Sequence, residues 1–113
     1  MLRIENITTD PLQERDIVLP DSSIITLTLY YIPMQYGWFI RSLVYKGVTI
    51  NGARITNNPN FLRQFKNQIP FGMACFTEEE REPTLIEDFS SESSKLYILT
   101  EAEVDQYENF LNE

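Results

Sequence analysis

The sequence predicts a mainly β protein, a small antiparallel β-sandwich or barrel built from hairpins, with a short C-terminal α-helix. Three observations predict this fold class. Apolar residues recur with a period of two in several segments, as they do in strands. Aromatic residues, which favour strands, make up 12% of the chain. Turn-forming pairs such as Lys46-Gly47 separate the apolar segments. The length of 113 residues fits one domain spanning residues 1–113.

The segment Trp38–Tyr45 organises the rest of the chain. Aromatic and β-branched residues alternate along it, and both of its faces are largely apolar. Such a strand is expected to be covered on both sides, as a central strand of a sheet is. We therefore expect four core side chains here and in the preceding strand: Trp38, Ile40, Leu27 and Leu29. An exposed binding role for Trp38 is the alternative.

The other strands follow from the same alternation and from the turns between them. We expect strands at residues about 2–7, 16–19, 24–32, 38–45, 48–56, 73–77 and 95–99. The turn-forming residues Pro20–Ser23 should join the second and third strands into a hairpin. Asn51-Gly52, the dipeptide most typical of a tight hairpin turn, should fold Ala53–Thr56 back onto Val48–Ile50. The polar residues before Asp16 are expected to form a loop.

The end of the chain predicts an α-helix at residues about 101–111. Thr100 and Glu103 have the spacing of a capping box, in which each side chain accepts a hydrogen bond from the other residue's backbone N–H. After them, four apolar residues recur at helical spacing and form one stripe: Val104, Tyr107, Phe110 and Leu111. This stripe can pack on the sheet of its own domain or dock onto a partner.

The composition argues against catalysis. The chain has no histidine, the commonest general base and the commonest metal ligand. Its one cysteine, Cys75, lies among apolar residues and is expected to be a buried, unreactive thiol. Its four glycines are isolated, so none belongs to a phosphate-binding loop. We therefore expect no enzymatic activity, no metal and no cofactor.

Nothing in the sequence predicts contact with a membrane. No apolar run approaches the roughly 18 residues of a membrane-spanning helix. The residues after Met1 lack the apolar region of a secretory signal. We therefore expect a chain that is made and used in the cytosol.

Charge is distributed unevenly along the chain, whose formal net charge is −8. Residues 22–77 carry five basic and no acidic side chains, whereas residues 73–113 carry twelve acidic and two basic ones. One interpretation is that both parts are simply solvated surfaces. The other is that a basic face of one subunit meets an acidic face of a neighbour, as in a head-to-tail ring.

Several large apolar side chains lie in segments that are not predicted to be strands. Their burial inside one small domain is not assured, so we expect them to contribute to a subunit or hub interface. They are Phe61, Phe65, Phe71, Tyr107 and Phe110.

The order of several short segments resembles that of a known family. The segments are the hairpin of residues 16–32, Trp38-Phe39-Ile40, Gly52-Ala53-Arg54-Ile55, Asn60-Phe61-Leu62, Ile69-Pro70-Phe71-Gly72, Pro83-Thr84 and Leu96-Tyr97-Ile98-Leu99. In this order and spacing they resemble the baseplate plug proteins of contractile-tailed bacteriophages, of the cyanophage type. The resemblance covers about residues 16–99.

The resemblance implies a structural protein of the virion rather than an enzyme. Such a protein would be a plug at the central hub of the baseplate and would help to close the end of the tail tube until contraction. Its partners would be other baseplate and tail-hub proteins and further copies of itself. It would be located in the phage tail baseplate after assembly in the host cytoplasm.

The alternative is an OB-like module of phage origin that binds single-stranded nucleic acid and carries an acidic tail. Modules of that kind combine stacking rings with cations. The candidate side chains for this face are Tyr36, Arg41, Lys46 and Arg54. The overall acidic charge and the few cations make nucleic acid the less favoured partner.

Overall fold

Two antiparallel sheets face each other and enclose the main apolar core. The computed structural model describes the backbone of residues 2–111 and the side chains of residues 2–106. Within this range the strands are β1 (Leu2–Ile4), β2 (Leu12–Val18), β3 (Ile24–Ile32), β4 (Gly37–Tyr45), β5 (Val48–Ile50), β6 (Ala53–Arg54), β7 (Gly72–Thr77) and β8 (Ser94–Leu99). The helix α1 spans Glu101–Leu111. Single 3-10 turns lie at Pro33–Gln35, Arg63–Phe65 and Glu78–Glu80.

The strand order confirms the predicted fold class. One sheet has three strands in the order β1-β8-β7, and in the other β2, β3 and β4 are neighbours, with β5 and β6 both paired to β4. Every strand pair is antiparallel, including the predicted hairpin of β2 and β3. The protein is therefore a mainly β, sandwich-like domain that ends in one short helix.

The inward side chains of the two sheets meet in the core. Trp38, Ile40, Leu27 and Leu29 are fully buried, and Met73 of the three-stranded sheet is buried among the same cluster. Moving one such side chain out of water contributes about 1.5–3 kcal/mol to folding. The burial of these four residues in the core, which the alternation predicts, is therefore confirmed.

Trp38 is also hydrogen-bonded, so its burial leaves no polar group without a partner. Its indole Nε1–H donates to the backbone oxygen of Leu85 at 3.3 Å. Its ring makes edge-on contacts with Tyr31, at 5.4 Å between centroids, and with Phe89, at 5.9 Å. The alternative prediction, an exposed binding role for Trp38, is therefore wrong.

A β-bulge in β4 corrects the prediction that this strand is apolar and covered on both faces. Leu29 pairs with Ile40 and Thr28 pairs with Ser42, which leaves Arg41 as the extra residue. Before the bulge the even-numbered residues Trp38 and Ile40 face the core, and after it the odd-numbered residues Leu43 and Tyr45 do. The bulge therefore keeps the apolar residues on one buried face of β4.

Asn51-Gly52 does not form the predicted hairpin turn. Ile50 pairs with Leu43 and Ala53 pairs with Ile40, so β5 and β6 together form one interrupted edge strand beside β4. Gly52 lies at the interruption with a φ of 77° and donates its N–H to the oxygen of Ile40 at 2.9 Å. The tight turn is instead the other predicted one, Lys46-Gly47, where both residues have positive φ.

Strand β2 begins at Leu12, which corrects the prediction of a loop up to Asp16. The prediction and the structure differ because of Gln13, a polar residue whose side chain faces inward and is only 7% exposed. Its amide donates to the oxygens of Thr8 and Asp10 and accepts the N–H of Thr8. Because the preceding loop supplies these partners, a polar residue occupies a position where the alternation predicts an apolar one.

The chain crosses from one sheet to the other at residues 55–61. Ile55 donates its N–H to the oxygen of Trp38 at 3.0 Å, within the five-stranded sheet. Asn58 then exchanges two backbone hydrogen bonds with Cys75, both at 3.0 Å, along the edge of β7. This crossing covers an edge strand and joins the two sheets on one side.

The capping box at the start of α1 is confirmed. Thr100 donates its N–H to Glu103 Oε1 at 3.1 Å, and Glu103 donates its N–H to Thr100 Oγ1 at 3.2 Å. Val104 packs against Ala74 and Leu99 of its own domain. The side chains of the rest of the stripe lie outside the described residues. No helix within residues 2–111 is long and apolar enough to cross a membrane.

Replacing Trp38 with phenylalanine should lower the free energy of unfolding by about 1–3 kcal/mol, because it leaves a void and removes the donor to the Leu85 oxygen. Urea unfolding followed by far-ultraviolet circular dichroism measures this, since the variant has no tryptophan fluorescence. Thr49→Ala, at an exposed position of β5, is the control and should change stability by less than about 0.5 kcal/mol. Equal stability of Trp38→Phe and wild type would contradict the packing described here.

Candidate protein-interaction site

Three connections meet at one end of the sandwich, around the first residues of β4. Tyr31 donates its hydroxyl to the oxygen of Thr84 at 2.7 Å, and Trp38 donates to that of Leu85. Asn57 Nδ2 donates to the oxygen of Glu80 at 3.3 Å. These bonds hold residues 78–87 against Asn57 and against Tyr31 and Trp38, which flank residues 33–36. We call residues 33–36, 55–57 and 78–87 the Tyr36 end.

An ion pair between a buried carboxylate and a partly exposed guanidinium holds the loop of residues 78–93 in place. The side chain of Asp88 is 2% exposed, and it accepts hydrogen bonds from both terminal nitrogens of Arg81 and from the N–H of Leu85. Burial acts to raise the pKa of Asp88, but the hydrogen bonds from Arg81 and Leu85 outweigh it and hold the pKa below its ordinary value. The charged pair therefore fixes where Leu85 lies.

Large apolar side chains are exposed at the Tyr36 end. Met34 is 92% exposed, Tyr36 is 70% exposed and Leu85 is 49% exposed. Tyr36 has a left-handed backbone, with φ 50° and ψ 52°, which costs a residue with a Cβ about 1–2 kcal/mol. A strained, exposed aromatic residue beside an exposed methionine is typical of a binding surface.

Arg54 holds this connection from the neighbouring strand. Its Nη2 donates to the oxygens of Gln35 at 3.2 Å and Tyr36 at 3.1 Å, and its guanidinium lies 5.3 Å from the centre of the Phe39 ring. A Cβ on Gly37 would lie 2.6 Å from Nη2, so glycine leaves room for the guanidinium. The backbone of residues 35–36 is therefore fixed before any partner binds.

Aromatic and basic side chains continue along the outer face of the five-stranded sheet. Leu12, Tyr30, Phe39 and Arg54 are successive cross-strand neighbours. Arg41, the bulge residue, lies 5.8 Å from the centre of the Tyr30 ring. Each contact of a cation with an exposed ring contributes about 0.5–1 kcal/mol. The face thus presents two cations and two rings in one ordered patch.

The structure brings together three of the four side chains considered for nucleic acid. Tyr36, Arg41 and Arg54 lie at or beside the same end of the five-stranded sheet. Lys46 does not, because it occupies the turn after β4, at the other end of that strand, with its Nζ 5.5 Å from the centre of the Tyr45 ring.

The predicted interface phenylalanines are distributed differently from the expectation. Phe71 lies in the core, 4% exposed, with its ring 5.2 Å from that of Tyr45, so it offers no surface to a partner. Phe61 and Phe65 are half-buried and pack against the same core. The side chains of Tyr107 and Phe110 lie outside the described residues.

Sequence reasoning missed two exposed apolar side chains of the Tyr36 end. Met34 follows Pro33 in the connection after β3, and Leu85 follows Pro83-Thr84 in the long loop. The sequence feature that could have identified them is an apolar residue inside a segment predicted to be a turn or loop.

Cys75 and the described acidic side chains are not arranged as a metal site. Cys75 is buried, and burial raises its pKa to about 11, so the thiol is protonated at neutral pH. Among the described residues, no group of three or more cysteine and acidic side chains is placed to hold a metal ion.

Comparison with known proteins assigns no family to the chain. No protein-family model matches the sequence, and no curated protein matches it.

Replacing Asp88 with asparagine should reduce stability at pH 7 and remove part of the acid sensitivity of the fold. The pKa of Asp88 is lower in the folded chain than in the unfolded one, so its carboxylate stabilises the fold above the unfolded pKa, and this contribution is lost as the pH falls. Urea unfolding measured between pH 7 and pH 3 should show the difference from wild type shrinking below about pH 4.

Glu87→Gln, at the exposed neighbouring carboxyl, is the matched control and should stay close to wild type across this range. A difference between Asp88→Asn and wild type that does not change with pH would contradict the role of the ion pair.

Proposed function

We propose that the protein is a structural, non-enzymatic component of a contractile phage tail, acting as a plug at the baseplate hub where the tail tube ends. Two arguments support the proposal. The order of its sequence motifs resembles that of the plug family. The Tyr36 end supplies a preformed surface for binding another protein.

The observation that carries the proposal is the composition of that surface. Aromatic residues, methionine and arginine are enriched in protein–protein interfaces, and Met34, Tyr36 and Arg54 supply one of each. Arg54 holds the backbone of Tyr36 through two hydrogen bonds. Little conformational freedom of this backbone is lost on binding, which favours affinity.

The structure of the rest of the domain is suited to the role of a plug. The two sheets and the loop of residues 78–93 pack into one core, and the ion pair of Arg81 with the buried Asp88 holds that loop against it. A rigid domain can occupy the end of a tube without unfolding locally. We propose the baseplate as its location and tail-hub proteins as its partners.

A tagged chain produced together with the tail-tube and hub proteins of the same phage should co-purify with them. Tyr36→Asn should reduce the recovered partner at least about tenfold, since central aromatic residues carry much of the binding energy of an interface. Asparagine tolerates the left-handed backbone, so the fold should survive, which circular dichroism checks.

Thr49→Asn, at an exposed position of β5, is the control and should leave recovery unchanged. Equal recovery with Tyr36→Asn would show that the Tyr36 end is not the interface. Absence of the chain from purified virions by mass spectrometry would overturn the proposed function itself.

One observation favours the second candidate, an OB-like module for single-stranded nucleic acid. Tyr30 and Phe39 lie side by side on the outer sheet face, each with an arginine near its ring. Rings and cations in this arrangement can stack bases and neutralise phosphates. Trp38 does not take part, because its indole is buried.

The plug proposal expects no binding of a fluorescent single-stranded oligonucleotide at 150 mM salt, measured by fluorescence anisotropy. Binding that strengthens steeply as salt is lowered, and that is lost in both Arg41→Ala and Arg54→Ala, would favour the nucleic-acid module. Tryptophan quenching is a poor readout here, since Trp38 is 0% exposed.

A further inference from the structure

We infer that a second copy of this chain docks on the Tyr36 end and forms a dimer with two-fold symmetry. The inference rests on the proposed function only in taking this end as an interface. It adds the partner, the symmetry and the residues that pair.

Exposed apolar side chains would form the centre of the contact. Met34 and Tyr36 belong to the connection between β3 and β4, and Leu85 belongs to the long loop whose backbone accepts the hydrogen bond from Trp38 at the start of β4. Exposed apolar side chains of this kind form the centre of protein–protein interfaces, with polar and charged residues around them.

Opposite charges are exposed at this end. Arg54 belongs to the five-stranded sheet, and its side-chain hydrogen bonds go to backbone oxygens rather than to a carboxylate. Glu78, Glu79 and Glu80 are exposed on the side of the long loop. Asn57, three residues after Arg54, donates to the oxygen of Glu80 and joins the two sides.

A surface with adjacent positive and negative parts is complementary to a rotated copy of itself. A two-fold rotation about the apolar centre would bring Arg54 of one copy to the glutamates of the other, and the reverse contact would form at the same time. The two ion pairs would form together, at the edge of an apolar contact. The charges at this end are therefore complementary to those of a second copy of the chain.

The backbone of the acidic turn supports the same conclusion. Glu79 and Glu80 have φ values of 59° and 55°, two consecutive left-handed residues that carry a Cβ. This conformation costs about 1–2 kcal/mol per residue, and such strain is retained mainly where a site needs it. Here it presents three successive carboxylates beside the apolar surface.

Sedimentation velocity and light scattering of the full chain test the inference over a concentration range up to about 1 mM. We expect a species of twice the 13.3 kDa chain mass and none larger. Arg54→Glu alone and Glu79→Arg alone should each raise the dissociation constant of the dimer at least about tenfold. Circular dichroism of each variant checks that the fold is retained.

Charge exchange makes the test specific for the symmetry. A chain carrying both Arg54→Glu and Glu79→Arg should dimerise again, because both ion pairs are restored with the charges reversed. An equimolar mixture of the two single variants should also dimerise, because in the mixed dimer one ion pair is reversed and the other is that of the wild type. Glu101→Arg, the same change at an exposed site on α1, is the matched control and should dimerise like wild type.

A monomer at every concentration would overturn the inference. Assemblies larger than two chains would also overturn it. So would loss of association in Glu101→Arg together with retained association in Glu79→Arg. Either result would indicate a head-to-tail contact through the acidic helix. A monomeric chain that still co-purifies with hub proteins refutes the dimer and leaves the proposed function standing. A dimer that is absent from virions refutes the proposed function and leaves the dimer standing.

Discussion

The fold depends on the burial of one indole ring between a sheet and a loop. Trp38 lies on the inner face of β4, makes edge-on contacts with Tyr31 and Phe89, and donates to the oxygen of Leu85. Phe89 and Leu85 belong to the long loop between β7 and β8. The same side chain therefore fills the core and fixes the loop that closes this end of the sandwich, because an indole in an apolar core needs a partner for its N–H.

The exposed surface follows from that closure. Once the loop is fixed, Leu85 and the acidic turn have defined positions beside the connection from β3 to β4. Arg54 fixes that connection through the oxygens of Gln35 and Tyr36, in space that Gly37 leaves open. A surface with exposed methionine and tyrosine side chains stays ordered because its backbone hydrogen bonds are satisfied from within the domain.

The candidate site was partly predictable. Tyr36, Arg41 and Arg54 could be selected from the sequence because aromatic and basic residues are common in binding faces, and the structure groups them. Met34 could not, because nothing local distinguishes an exposed methionine in a turn from a buried one. The charge separation along the sequence also did not predict the charge distribution in space. The crossing at residues 55–61, which lies within the basic interval, brings Asn57 beside Glu80.

The sequence by itself determined the strand content, the turn at Lys46-Gly47 and the capping box of α1. These features depend on residues that are neighbours along the chain, so alternation and turn chemistry are sufficient to predict them. Only the tertiary structure decided the bulge at Arg41, the interruption at Gly52 and the inward position of Gln13. Each of these depends on what a distant strand or loop supplies, either a register to match or a hydrogen bond to a polar group, and no local pattern records that.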